Sequence, residues 1–173
     1  MVKDSLKLGL ILLIICAIST GLLAFVNQLT APVIYENQLI AKKEAMLQVM
    51  PQADSFTDIS DILTKAVSKD GSLIGYTVKV SPSGYGGEIS MMVGVNADLT
   101  ISGVKILSLS ETPGLGAKAQ DEAFLSQYKG KNEKMALKKD ITAITGATIT
   151  STAVTLGVKE AIGLVKSEGG ISK

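Results

Sequence analysis

The sequence has 173 residues and a formal net charge of +1, and 46% of its residues are hydrophobic. It contains no His and a single Cys, which excludes His-bearing catalytic triads, Cys/His metal clusters and an intrachain disulfide. With an aromatic content of 4% and no basic excess, neither a phosphate-tracking surface nor a base-stacking platform is indicated, so nucleic acid is not an expected partner. We expect one modest domain joined to a more hydrophobic segment, and any redox group has to be brought in.

The apolar run at residues 6–26 predicts a transmembrane helix. About 20 helical residues span the roughly 30 Å hydrocarbon core of a bilayer. A cleaved signal peptide is the alternative, but the run is longer than an h-region of ~7–15 residues and no convincing A-x-A site follows it. Lys3 precedes this run and Lys7 lies near its start, whereas Lys42 and Lys43 lie well beyond its far end. The positive-inside rule then places the N-terminus in the cytoplasm and the rest of the chain outside the cytoplasmic (inner) membrane, as a single-pass protein.

The segment after this run predicts a connector and the entry to a domain. Pro32 marks a break or a first helical turn. In residues 33–50 apolar residues are interleaved with charged and polar ones, which predicts an amphipathic helix that ends at Pro51. Residues 52–70 are polar and irregular, with at most a short strand or helix near Ile62 and Leu63. We therefore expect an anchor at 1–30, a helical connector at 31–70 and a compact domain at 71–173.

Three stretches rich in β-forming residues predict an antiparallel sheet at 73–80, 89–95 and 101–109. Together with flanking helices, including a short one at 121–128, they indicate an α+β fold. The Gly-rich loop at 81–87 lacks the Walker Lys-Ser/Thr and the dinucleotide glycine spacing, so on its own it predicts only a hairpin connection.

The C-terminal region predicts a helix preceded by a hydroxyl-rich stretch at 142–151. Apolar residues recur at helical spacing (Val154, Val158, Ile162 and Val165), and Gly169-Gly170 ends the pattern. We expect the helix to begin close to Thr150 or Ser151. Its free N–H groups and dipole favour an anion beside Thr148, and a phosphate fits there. The alternative is that the hydroxyls only cap the helix.

A second distinctive run, Ser110-Glu111-Thr112-Pro113-Gly114-Leu115-Gly116, follows the predicted sheet. Its Pro-Gly pair predicts a turn, because Pro presets φ at one central position and Gly accepts a positive φ at the next.

The two runs together resemble motifs of the FMN-binding domain family, which includes the G subunit of the Rnf electron-transport complex and the C subunit of the sodium-translocating NADH:quinone reductase. In that family the Thr that closes the Ser/Thr-Gly-Ala-Thr core carries FMN through a phosphoester bond. The resemblance implies that Thr148 is the covalent attachment site, with the rest of the motif around it (Thr145, Gly146, Ala147, Thr150 and Ser151). For the Glu-Thr-Pro-Gly-Leu-Gly run it implies that Glu111, Thr112 and Leu115 lie near the flavin ring and that Gly116 allows close backbone approach.

The sequence departs from the family pattern at two places. Thr142 stands where the family usually has an Asp, with Asp140 two residues earlier. Ser108, Leu109 and Ser110 stand where a His often occurs just upstream of the Glu-Thr-Pro-Gly-Leu-Gly run.

The resemblance implies a membrane-anchored flavoprotein subunit of an Rnf-type ferredoxin:NAD oxidoreductase. Such a subunit relays electrons beside membrane and iron-sulfur subunits, is coupled to Na⁺ or H⁺ translocation and is not catalytic alone. It also implies a separate flavin transferase that moves FMN from FAD, because an unassisted Thr hydroxyl is a poor nucleophile. The alternatives are a C subunit-like component of the quinone reductase, which shares the Thr motif, and a cofactor-free membrane-anchored assembly module in which Thr148 is only a helix cap. A secreted hydrolase is disfavoured, since without His it would need a Ser-Lys or carboxylate pair, and no such constellation is visible.

Overall fold

The structure is a computed structural model that describes the backbone of residues 2–168 and the side chains of residues 6–168. The chain divides into two compact units, Met1–Lys42 and Lys43–Lys173. The Gly169-Gly170 pair that was predicted to end the last helix lies outside the described residues.

The first unit belongs to one long helix, α1 (Val2–Val49), which has Pro32 inside it. The predicted break at Pro32 is therefore wrong. Pro32 cannot donate one backbone hydrogen bond, but the helix-forming sequences on both of its sides outweigh that loss. The apolar side chains of residues 6–26 are exposed, and the helix is long and apolar enough to cross a membrane. This is compatible with a single-pass anchor.

The second unit contains a five-stranded antiparallel sheet in the order β1-β2-β3-β4-β5. Its strands are β1 (Ser55–Asp58), β2 (Leu63–Val67), β3 (Leu73–Val80), β4 (Ser90–Asn96) and β5 (Ile101–Ser108). The three predicted strands and the α+β class are confirmed. The short strand or helix that the sequence allowed near Ile62 and Leu63 is the strand β2, whereas β1 was missed because it is a short, mostly exposed and mostly polar edge strand with little apolar alternation.

One face of the sheet packs against α2 (Glu122–Leu125) and α3 (Thr148–Glu168), with a 3₁₀ turn at Ser126–Tyr128 directly after α2. The predicted short helix at 121–128 is thus present in two parts. The buried apolar side chains of strands and helices form one cluster here, including Val78, Met91, Val93, Val154, Val158 and Ile162. This face fixes the start of α3 beside the end of the sheet.

The other face of the sheet is covered by the last turns of α1. Met46, Val49 and Met50 are at most 5% exposed and cluster with Met92 of β4. The approach is so close that a Cβ atom added at Gly94 would collide with the carbonyl oxygen of Val49. A glycine at this position of β4 is therefore required by the packing of the α1 backbone.

Candidate functional site

Three separate segments line a cavity of about 520 Å³. They are the loop between β3 and β4, the Glu-Thr-Pro-Gly-Leu-Gly segment after β5, and the first turn of α3. The lining residues are Tyr85, Glu111, Thr112, Leu115, Gly116, Gly146, Ala147, Thr148, Ile149 and Thr150. The volume lies within the roughly 300–1,000 Å³ range of small-molecule sites.

The buried carboxylate of Glu111 joins the three segments. Its Oε1 accepts hydrogen bonds from the backbone N–H groups of Tyr85 (2.8 Å) and Gly86 (3.3 Å), and its Oε2 accepts one from the Thr150 hydroxyl (2.9 Å). Glu111 is 8% exposed and Thr150 is 2% exposed. A buried carboxylate is tolerated only when donors satisfy it, so these three bonds explain why an acidic residue lies here.

The backbone at Gly116 passes directly over this carboxylate. A Cβ atom added at Gly116 would lie 2.5 Å from Glu111 Oε2 and 2.9 Å from Thr150 Oγ1. The backbone at Gly116 therefore lies close to the side chains of Glu111 and Thr150, and a larger residue at this position would collide with them.

Helix α3 begins at Thr148, two to three residues before the predicted start at Thr150 or Ser151. The first hydrogen bond into the helix is donated by Ser151 N–H to Ala147 O, at 3.0 Å. Consequently the N–H groups of Thr148, Ile149 and Thr150 have no backbone acceptor in the described part of the chain. Thr148 is therefore a residue of the first helical turn and not of the preceding loop, and these N–H groups are free for an anion.

The hydroxyl groups of the motif do not cap this helix within the described residues. Thr150 donates to Glu111, Ser151 donates to Ala147 O (2.9 Å) and accepts from Ile144 N–H (3.0 Å), and neither accepts from the first turn of α3. The Thr148 side chain is exposed and has no hydrogen-bond partner among residues 2–168. The capping interpretation consequently gives no role to Thr148.

Eight of the ten predicted site residues line the cavity, and Thr145 and Ser151 do not. Thr145 is exposed just before the cavity-lining residues, whereas Ser151 is fully buried and its hydroxyl is used within the α3 start. Two lining residues, Tyr85 and Ile149, were missed as site residues. Two sequence features could have indicated them: Tyr85 lies in the Gly-rich loop, and Ile149 lies inside the Thr motif.

The loop that departs from the family pattern at Thr142 is held by other contacts. Thr142 N–H donates to Gln127 Oε1 at 2.7 Å, and Asp140 Oδ2 accepts from Ala136 N–H at 2.9 Å. The cavity is lined by neither Thr142 nor Asp140. The Asp140 carboxylate therefore stabilises its own turn.

The lining residues fit FMN. The free N–H groups at the start of α3 suit a phosphate, the small residues Gly146 and Ala147 leave the Thr148 hydroxyl accessible, and Leu115, Ile149 and Tyr85 offer apolar surface for a flavin ring. Among residues 2–168 no group of three or more His, Cys, Asp or Glu side chains could hold a metal ion. The free N–H groups and the apolar walls together suit an organic phosphate.

Residues 84–163 match the profile of the FMN-binding domain, and residues 1–49 match that of the RnfG N-terminal region. Among solved structures, the C subunit of the Na⁺-translocating NADH-quinone reductase from Parabacteroides distasonis aligns with a TM-score of 0.51 and 29% identity over 60% of each chain. The NqrC structure from Shewanella oneidensis aligns with a TM-score of 0.52 and 24% identity, over 67% of this chain and 68% of that one, and shows the fold alone.

The curated relatives cover more of the chain. The G subunit of the Na⁺-translocating ferredoxin:NAD⁺ oxidoreductase complex of Acetobacterium woodii is 37% identical, over 92% of this chain and 91% of its own. The G subunit of the proton-translocating ferredoxin:NAD⁺ oxidoreductase complex of Clostridium ljungdahlii is 38% identical, over 87% of this chain and 86% of its own. On this identity and coverage, the chain belongs to the family of G subunits of Rnf-type oxidoreductase complexes.

Proposed function

We propose that this chain is a membrane-anchored flavoprotein subunit of an Rnf-type ferredoxin:NAD oxidoreductase complex and relays electrons through FMN attached covalently to Thr148. The observation that carries the proposal is the exposed Thr148 hydroxyl in the first turn of α3, which has no hydrogen-bond partner in the described part of the chain and lies beside free N–H groups and a cavity. Bound FMN supplies reversible electron transfer, and the protein supplies position and electrostatics.

The residues of the site have separate tasks in this function. The N–H groups of Thr148, Ile149 and Thr150 hold the phosphate, and the dipole of α3 stabilises its charge. Glu111 holds the loop at Tyr85 and the Thr150 side chain in place. Leu115 lines one wall of the cavity and limits the access of water there.

Attachment needs a separate flavin transferase, because no side chain among the described residues makes a hydrogen bond that would activate the Thr148 hydroxyl. In the reaction the Thr148 oxygen forms a bond to the phosphorus of the FMN half of FAD, and the phosphoanhydride bond breaks. AMP leaves, and the hydroxyl proton passes to a base of the transferase. The exposure of Thr148 supports this step, since a second protein has to reach it.

The partners in this proposal are the membrane and iron-sulfur subunits of an Rnf-type complex. The coupled ion is Na⁺ or H⁺, the two ions that are named for the Acetobacterium and Clostridium relatives. Residues 6–26 anchor the chain in the cytoplasmic membrane with the N-terminus in the cytoplasm, so the FMN-binding domain lies outside. Covalent attachment suits that location, because a flavin that dissociated outside the cytoplasm would be lost.

A second candidate is a C subunit-like component of the sodium-translocating NADH:quinone reductase, which the Parabacteroides structure favours at 29% identity. It ranks lower because that alignment covers 60% of this chain, whereas the G subunits align over about nine-tenths. Membranes that contain the complex separate the two: ferredoxin-dependent NAD⁺ reduction supports the G type, and NADH–quinone activity supports the C type.

The test of attachment uses protein that is co-expressed with a flavin transferase and then denatured. Flavin fluorescence is measured in a gel, and the intact mass of the protein is measured by mass spectrometry. We expect the wild-type chain to fluoresce and to carry the added mass of FMN, and Thr148→Ala to lose both because the acceptor oxygen is gone. Thr152→Ala is the matched control: Thr152 is exposed one turn further along α3, and its hydroxyl donates only to Thr148 O at 2.8 Å. It should be labelled like the wild type.

A wild-type chain that stays dark and unmodified, while a known acceptor is labelled in the same cells, would refute the covalent flavin. The cofactor-free assembly module would then be the better account. Labelling that persists in Thr148→Ala would instead move the attachment to another hydroxyl.

A further inference from the structure

The side chain of Tyr85 has an unusual setting for a tyrosine. It is 71% exposed, and it lines the cavity beside Leu115 and Ile149, which are 45% and 57% exposed. Three large side chains with apolar surface thus border one cavity without covering one another. Exposed apolar surface that is gathered around a concave site marks a surface that a ligand or partner covers.

The backbone of Tyr85 is fixed although its ring is exposed. Its N–H donates to Glu111 Oε1 at 2.8 Å, and the other oxygen of the same carboxylate accepts from Thr150, two residues after Thr148. In addition, a Cβ atom at the neighbouring Gly86 would collide with Ser110 O, so the loop lies directly against the segment that follows β5. Because the backbone of Tyr85 is already held in place, its ring loses less conformational entropy when it binds a ligand.

The position of this ring is tied to the position of the proposed attachment residue. A single carboxylate links Tyr85 to Thr150, and Thr148 lies in the same helical turn as Thr150. A group that is joined to the Thr148 oxygen and extends into the cavity meets the walls formed by Tyr85, Leu115 and Ile149.

We propose that Tyr85 is the aromatic contact of the flavin ring in this site, with Leu115 and Ile149 completing an apolar wall. The inference rests on the proposed function and extends it, because it assigns a role to a residue outside the Thr-rich run and the Glu-Thr-Pro-Gly-Leu-Gly run. Aromatic rings attract one another in offset or edge-on arrangements, and the contact removes the exposed Tyr85 surface from water.

The experiment compares flavin emission from the folded protein with emission from the same sample after unfolding in guanidinium, per attached FMN. An aromatic ring against a flavin quenches its emission, and a tyrosine or tryptophan ring does so more than phenylalanine because it is more easily oxidised. The full chain is used in detergent, as the wild type and as Tyr85→Leu, Tyr85→Phe and Tyr85→Trp. Leu156→Ala is the matched control, since Leu156 is 58% exposed on α3 but does not line the cavity.

We expect the folded wild type to emit several-fold less than the unfolded sample, and Leu156→Ala to behave in the same way. Tyr85→Leu should restore most of the emission, Tyr85→Phe should restore part of it, and Tyr85→Trp should quench at least as strongly as the wild type. The emission after unfolding, which reports only how much FMN is attached, serves to normalise every variant.

Equal folded-state emission from wild type, Tyr85→Leu and Tyr85→Trp would overturn the contact while leaving the covalent flavin intact. If Tyr85→Leu fails to fold, the Phe and Trp variants decide, because equal emission from wild type, Tyr85→Phe and Tyr85→Trp has the same meaning. A wild type without emission after unfolding carries no FMN, and in that case the proposed function fails and this inference with it.

Discussion

Glu111 and Tyr128 illustrate two ways in which this small domain buries a titratable side chain. Glu111 receives three hydrogen-bond donors from residues 25 to 39 positions distant in the chain, so its buried side-chain oxygens are satisfied. Tyr128 is fully buried with one hydrogen bond, between its hydroxyl and that of Thr155 at 2.8 Å. For Glu111 the consequence is a shaped cavity, and for Tyr128 it is a pH dependence of stability.

We expect the free energy of unfolding to fall between about pH 10 and about pH 12 because of Tyr128. Burial raises the pKa of Tyr128 to about 12 from 10.0, and the hydrogen bond with Thr155 offsets part of that effect. Between these values the unfolded chain has lost the phenolic proton and the folded chain still holds it, so each pH unit removes up to about 1.4 kcal/mol of stability. Urea unfolding of the domain at pH 9, 10, 11 and 12 measures the slope.

Tyr128→Phe is the control for this slope. It removes the ionisable group while keeping the ring, which packs edge-on against Phe124 with the centroids 5.6 Å apart. Because the variant lacks the hydrogen bond to Thr155, its free energy of unfolding at pH 8 should be roughly 1 kcal/mol lower than that of the wild type. Above pH 10 its stability should fall less steeply than that of the wild type. Identical slopes in the two proteins would mean that Tyr128 does not cause the alkaline loss.

At the scale of elements, the two faces of the sheet are covered in different ways. Side chains of α3 pack on one face, whereas on the other face the α1 backbone at Val49 lies directly over Gly94 and Gly103. Contact through backbone atoms cannot adjust by a change of rotamer. This face is therefore the less tolerant of added volume.

Gly94→Ala should consequently destabilise the domain by roughly 1–3 kcal/mol, because its Cβ would collide with the carbonyl oxygen of Val49. Gly163→Ala is the matched control in α3, where a Cβ atom meets nothing within 4 Å. That change should be neutral or stabilise by up to about 1 kcal/mol, since Ala is the better helix former. Thermal unfolding of both variants measures the difference, and equal melting temperatures would contradict the close packing of Val49.

The sequence predicts the elements that rest on strong local patterns. The β3, β4 and β5 strands were found because they are rich in β-forming residues, and the final helix was found because its apolar residues recur at helical spacing. The start of α3 was misplaced by two to three residues, because no side chain among the described residues caps it and the Thr run gives no distinct boundary. The break predicted at Pro32 was wrong, because the tendency of Pro to interrupt a helix was outweighed by the helix-forming sequences on both of its sides.

The site was predictable in its motifs but not in its internal contacts. Both family-like runs contribute to one cavity, yet nothing local indicates that Glu111 accepts from Tyr85 and Gly86, or that Thr150 is its third donor. These contacts join residues that only the tertiary fold brings together. For the same reason Tyr85 could not be assigned from its loop alone.

At the scale of the whole molecule, the boundary between the two units lies inside α1 and not at its end. The second unit begins at Lys43, and Ala45, Met46 and Val49 belong to its core. The last turns of the helix that carries the apolar anchor are thus part of the folded domain. The choice of where to truncate the chain therefore decides whether the domain remains stable.

We expect a fragment of residues 43–173 to fold without detergent and a fragment of residues 52–173 to be much less stable. The shorter fragment lacks Met46, Val49 and Met50, which leaves the Met92 face of the sheet open to water. Burying one such side chain contributes about 1.5–3 kcal/mol, so the loss of three is comparable with the whole stability of a small domain. Thermal unfolding by circular dichroism measures both fragments, and FMN labelling of the longer one reports whether its site is intact. Equal melting temperatures would mean that the end of α1 adds nothing to the domain, and the boundary would then lie after Met50.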